Sequence, residues 1–154
     1  MIVLAMAAAF LVAASEMVVW GLRIVRAWQQ REELRGQLAH VLEQFTREAI
    51  AADHVDTADD DQFQFDTPAT NNIEFDYTGS TDILTHDDSS TTQQTVLRYA
   101  TSLDFDYYNS SGTLLSTPVS SGSRSSIRVV QVAITVSRNN ETLSMAAATY
   151  LRNM

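Results

Sequence analysis

Residues 23–53 read RIVRAWQQREELRGQLAHVLEQFTREAIAAD. The stretch has no proline and one glycine, and it places Leu34, Leu38, Val41, Leu42, Phe45 and Ala49 at spacings of three and four. That recurrence is the mark of a helix with one apolar stripe. Glu32, Arg35, Glu43, Arg47 and Glu48 fall mostly off the stripe, so the outer face is solvated and the inner face must cover something. The spacing therefore predicts that Leu34, Leu38, Val41, Leu42 and Phe45 pack a helix against the rest of the fold.

Toward the N-terminus the helical pattern does not stop. Met1 to Ala14 is a run of 14 consecutive apolar residues, about two turns short of the ~20 residues that span a ~30 Å hydrocarbon core. Continuing through Ser15 and Glu16 to Leu22 supplies the length at the cost of one carboxyl group, with Trp20 and Arg23 as an interfacial anchor. A cleaved secretory signal is the competing reading. No basic region precedes the apolar run, and no clean small-x-small site is followed by mature-looking sequence. Residues 2–52 can form one helix of roughly 75 Å at 1.5 Å per residue. No compact domain of this size needs such a rod internally, so its first half is expected to project. Ile2, Val3, Leu4, Phe10, Leu11, Val12 and Trp20 are the membrane or assembly residues this predicts. Ala5, Ala7, Ala8, Ala9, Ala13 and Ala14 are small enough to admit a neighbouring helix.

Toward the C-terminus the texture changes at Asp53. DHVDTADDDQ (53–62) reads as a turn-rich acidic break, and short alternating segments follow. FQFD, NIEFDY and SLDFDYY alternate apolar with polar residues, which predicts half-buried strands. In the last of them Leu103, Phe105 and Tyr107 face one way and Asp104, Asp106 and Tyr108 the other. NSSG at 109–112 is a hairpin turn candidate. After the Ser/Thr-rich loop 116–126 come IRVVQVAITV, with Val130, Val132, Ile134 and Val136 on its better-buried face, and TLSMAAATYLR. These two read as a terminal antiparallel hairpin, although helix propensity alone would also accept Ala146 to Ala148. The expected fold class is α+β: a helix laid over an antiparallel β-sheet. The expected divisions are an apolar half-helix (1–24), an amphipathic half-helix (25–52) and an acidic sheet domain (53–154).

Charge narrows the partners. Residues 1–52 balance five Glu with five Arg, so the net charge of −9 resides beyond them. An acidic surface argues against nucleic acid as a partner. All ten basic residues are Arg, which removes Schiff-base lysines and the lysine of a phosphate-binding loop. Cysteine is absent, so disulfides and thiolate zinc sites are excluded. Neither a Gly-x-Ser-x-Gly elbow nor a Gly-rich phosphate loop occurs. His40 sits by the apolar stripe as a boundary residue, and alternation accounts for Glu74, Asp76, Asp104 and Asp106. No enzymatic centre is predicted.

The richest ligand cluster is Asp53, His54, Asp56, Asp59, Asp60 and Asp61, hard oxygen donors that suit Ca²⁺, with Asp56, Asp59 and Asp61 as the candidate ligands. No glycine and no following glutamate make it an EF-hand. A solvated acidic loop is the simpler reading, and no other cofactor is expected. His86-Asp87-Asp88 is a weaker set. Asn109-Ser110-Ser111 and Asn140-Glu141-Thr142 match the glycosylation acceptor pattern.

The residues also resemble a family. Met1-Ile2-Val3-Leu4-Ala5 is similar to the interior of the type IV pilin signature, in which a basic leader precedes a phenylalanine, a glutamate-bearing apolar stretch and a Leu-Met-Ile-Val-Leu-Ala run. LRYATSLDFDYYNSSG, SSIRVVQVAITV and ATYLRNM resemble the minor pilins and the J branch of the type II secretion pseudopilins. The resemblance implies a structural subunit anchored in the bacterial inner membrane by a single span, its sheet domain in the periplasm or on an extracellular filament. Its partners would be the lipid bilayer and other pilin or pseudopilin subunits, met through the N-terminal helix. It further implies that the chain begins inside the pilin helix, with the leader, about six residues and the family's assembly glutamate upstream; Glu16 lies too far along to replace that glutamate. Arg23, Arg26 and Arg31 oppose this orientation by the positive-inside tendency, which an upstream basic leader would outweigh. A membrane-anchored adhesive or Ca²⁺-dependent binding module, using loop 116–126 and the acidic loops, is the alternative.

Overall fold

The computed structural model describes residues 2–77, 79, 83–87, 94–139 and 141–152, with the side chains of 2–10, 12, 13 and 83–87 outside the description. It is α+β, with a helix packed on antiparallel sheets. Helix α1 runs unbroken from Ile2 to Ala49. The chain divides into two compact units, Met1–Leu34 and Arg35–Met154, so the division falls within the helix.

Among the described residues of the second unit, the rear of α1 joins nine strands: β1 (His54–Ala58), β2 (Gln62–Asp66), β3 (Ile73–Tyr77), β4 (Ile83–Asp87), β5 (Gln94–Arg98), β6 (Ala100–Asn109), β7 (Leu114–Leu115), β8 (Ile127–Arg138) and β9 (Glu141–Tyr150). They form two antiparallel sheets where one was expected. The first is the meander β1-β2-β3-β4-β5; the second has the order β7-β6-β8-β9. Tyr99 makes the passage between them at φ 65, a left-handed conformation uncommon for a bulky residue. Its carbonyl accepts the Ser137 amide at 2.9 Å, and the Arg138 guanidinium lies 4.8 Å from its ring centre.

The helical stripe is buried as its spacing predicts: Leu34, Leu38, Val41, Leu42, Phe45 and Ala49 are all inaccessible or nearly so. Phe45 is the hub of the core. Its ring meets Phe75 edge-on at 5.3 Å, Phe105 at 5.8 Å and Phe63 at 6.1 Å, so one helical side chain reaches strands of both sheets. Alternation holds along β6, where Leu103, Phe105 and Tyr107 are buried and Asp104 and Asp106 exposed, and along β8, where Val130, Val132, Ile134 and Val136 are buried.

One local expectation is corrected, and the terminal hairpin is found as expected. The acidic break contains strand β1, whose Val55 and Ala58 are buried and pair with Phe65 and Phe63 of β2; tertiary pairing overrode the turn-rich composition. Ala146 to Ala148 are strand, held in register with Ala133, Val132 and Gln131, because the sheet offers them a partner that an isolated helix would lack. The predicted turn after β6 is present: Asn109 Oδ1 accepts the amides of Ser111 at 3.0 Å and Thr113 at 2.9 Å, and Gly112 takes φ 75.

Candidate functional site

Two places have the composition of a site, and they differ in kind. The first is the front of α1. Leu11, Met17, Val18, Val19, Trp20, Leu22, Val25 and Trp28 are all exposed, both tryptophans at 67%. These residues lie on every side of a helix that turns 100° per residue, so no single stripe gathers them. Ile2, Val3, Leu4, Phe10 and Val12, assigned the same role, lie outside the described side chains. Among the described residues no helix is long and apolar enough to cross a membrane. The concavity beside Ser15, Glu16, Met17, Val19, Trp20 and Arg23 is formed by side chains of one helix and is open to solvent.

The second place is the turn between β1 and β2. Asp59, Asp60 and Asp61 bring carboxylate oxygens within 4.8 Å of one another. Asp56, expected beside them, sits on β1 with its Oδ1 3.5 Å from His54 Nε2. Two backbone carbonyls of this turn fasten the two sheets together, and a third ties the turn to β3 within the first sheet. The Asp59 carbonyl accepts the Tyr107 hydroxyl at 2.8 Å, while the Asp60 carbonyl accepts the Phe105 amide at 2.8 Å and the Asp61 carbonyl the Tyr77 amide at 3.1 Å. The Asp59 amide closes the turn on the Gln62 carbonyl at 2.8 Å. Sequence reasoning saw the carboxylates and missed the clasp, because backbone acceptors leave no trace in residue type.

Electrostatics follow from this crowding. A hydrogen bond shared with the Asp60 side chain, then desolvation and the charges of Asp60 and Asp61, hold the Asp59 carboxyl above its ordinary value, against the lowering effect of the Asp60 amide. Burial first, then the Asp59, Asp60 and Asp61 charges, push the Tyr107 hydroxyl far up, so it stays protonated and able to donate. Burial, then Glu74 and Asp61, raise Asp76. Ca²⁺ takes six to eight oxygen ligands. Here three adjacent carboxylates would supply the side-chain oxygens, and the turn's carbonyls already serve Tyr107, Phe105 and Tyr77.

Elsewhere the expected residues are dispersed. His40 is exposed on α1. His54 has the Asp56 carboxylate beside it, and among the described residues no hydroxyl hydrogen-bonds to it. The side chains of His86 and Asp87, and Asp88 altogether, lie outside the described residues, as does Asn140. Loop 116–126 is structural in part: Val119 is buried, its amide donates to the Ala58 carbonyl at 2.8 Å, and Arg124 donates to the carbonyls of Asp56 and Val119. No protein-family model matches the chain, and no curated protein matches it.

Proposed function

We propose that this chain is a non-enzymatic structural subunit of the type IV pilin kind, a minor pilin or pseudopilin. Its N-terminal helix resides in the bacterial inner membrane until assembly and then packs among neighbouring helices at a filament core. The observation that carries the reading is the contrast along one continuous helix: exposed apolar residues from Leu11 to Trp28, and a buried stripe from Leu34 to Ala49. Water-exposed apolar surface of that extent costs about 25 cal/mol per Å² until something covers it. Lipid covers it first and sister helices afterwards, with packing rather than dehydration driving the exchange. The acidic sheet domain then faces the periplasm or the filament exterior.

The test is fractionation of the full chain with the double variant Val18→Asp, Val19→Asp beside it. The parent chain is expected in the membrane fraction and in complexes with other pilin-like subunits, and the variant in neither, with the same unfolding midpoint for its sheet domain. Membrane retention without any such subunit would favour the second reading, an anchored binding module, for which the Asp59–Asp61 carboxylates are the supporting feature. A parent chain that stays in the aqueous fraction overturns both.

A further inference from the structure

A sheet edge exposes a row of unpaired N–H and C=O groups, and folded proteins blunt such edges by shortening, bulging, charging or covering them. Among the described residues, three of the four sheet edges are treated in this way. β7 is two residues long. β1 is covered, because Val119 N–H and the Arg124 guanidinium donate to its Ala58 and Asp56 carbonyls, and its ladder with β2 carries a bulge between Val55 and Thr57. β5 has five residues, ends on Arg98, and has a bulge in its ladder with β4.

β9 is the exception. It is ten residues long and pairs with β8 through ten consecutive positions without a register shift. Its sequence ETLSMAAATY has no proline and one charge, at its first residue. Among the described residues, no turn or loop hydrogen bond reaches its outer side. Its inward row, Leu143, Met145 and Ala147, is only half-buried, while Thr142, Ser144, Ala146 and Ala148 on the other face are exposed. Beside its end, Thr46 and Ile50 of the second unit line a groove with Ala148, Thr149, Tyr150 and Arg152.

We infer that β9 is a pairing strand for a second copy of this chain, which adds its own β9 antiparallel across the edge and joins two four-stranded sheets into one. Self-pairing is what this strand's chemistry favours. A chain of net charge −9 repels its copy over most of its surface, and β9 has no charge after Glu141. About a two-fold axis perpendicular to the sheet, one residue faces its own copy, and both inward rows lie on the same side. Overlap of residues 142–150 with Ala146 facing Ala146 sets Met145 opposite Ala147 and Ser144 opposite Ala148. No like charges then meet, and each copy covers the other's half-buried row. Main-chain hydrogen bonds supply the adhesion, as in other strand additions. This inference goes beyond the filament reading and stands on β9 alone.

The chain has no cysteine, so one introduced thiol reports on one position. Directly facing residues place their Cβ atoms about 4.5–5.5 Å apart, within reach of a short bis-maleimide. The experiment compares full chain carrying Ala146→Cys with full chain carrying Thr113→Cys, another exposed site, on the β6–β7 turn, both in detergent micelles. A cross-linked homodimer is expected from the first and not from the second. Adding Ser144→Lys and Ala148→Lys to Ala146→Cys sets lysines opposite one another, and the yield should fall roughly threefold to tenfold with an unchanged circular dichroism spectrum. In the Val18→Asp, Val19→Asp background the Ala146 cross-link should persist, which separates this pairing from association through the helix. Equal cross-linking at positions 113 and 146, indifference to the lysines, or loss of the dimer with the helix variant would each overturn the inference.

Discussion

The front and the rear of α1 are both rich in apolar side chains and meet opposite fates. Leu38, Val41, Leu42, Phe45 and Ala49 recur on one face and are buried; Met17, Val18, Val19, Trp20 and Leu22 crowd consecutive positions and are exposed. Apolar content by itself says only that a segment needs cover. Its period says what shape of cover: a stripe fits one sheet surface within the same chain, whereas an all-round apolar surface needs surroundings on every side, which lipid or a bundle of helices provides.

The largest effect should come from removing the rear's hub. Phe45→Ala empties a ring site shared with Phe63, Phe75 and Phe105 and should cost about 3–5 kcal/mol in a urea titration followed by near-ultraviolet circular dichroism. Met17→Ser, on the exposed front, should leave that titration within about 0.5 kcal/mol. If the two variants cost the same, the helix is not divided as described.

A smaller loss is expected at the clasp that completes the rear's environment. Tyr107→Phe removes the hydroxyl that donates to the Asp59 carbonyl and should cost about 1–2 kcal/mol, read in the same titration. No change would mean that water replaces the hydroxyl and the clasp is held by the Phe105 amide alone. Smaller again, Gly112→Ala forces a Cβ into φ 75 and should cost about 1 kcal/mol, with the β6–β7 turn but not the helix perturbed in amide exchange.

The smallest effect belongs to pH. Asp76 is raised in the folded state by burial and by Glu74 and Asp61, so the folded protein holds its proton more tightly than the unfolded chain. Its stabilising contribution is therefore complete below the ordinary aspartate value and lost as pH rises through the raised one. Asp76→Asn should unfold at a higher temperature than the parent at neutral pH, and the advantage should vanish in acid. A gap that widened in acid would reverse the sign of this assignment.

Much of this was legible in residue spacing. The Leu34–Ala49 stripe, the alternation in β2, β3, β6 and β8, and the turn at Asn109–Gly112 each follow from a local rule that needs no partner to be stated. β1 was hidden because its sequence, HVDTA, reads as acidic turn until Phe63 and Phe65 are placed beside it. The short β5, with one buried residue, Leu97, carried too little alternation to stand out. At the candidate sites, the exposed helix front was visible as composition. The grouping of Asp59 with Asp60 and Asp61, and the turn of Asp56 toward His54, depended on where β1 ended.

The amino-acid sequence by itself determined that an apolar segment leads into an amphipathic helix and then into acidic alternating strands, because hydrophobic period is a property of neighbours along the chain. Only the tertiary structure decided that the strands divide into two sheets, that Phe45 joins both, and that the acidic turn's carbonyls clasp them together. Those depend on hydrogen bonds and ring contacts between residues dozens of positions apart, and backbone groups, identical at every position, carry no local sign of the partner they will find.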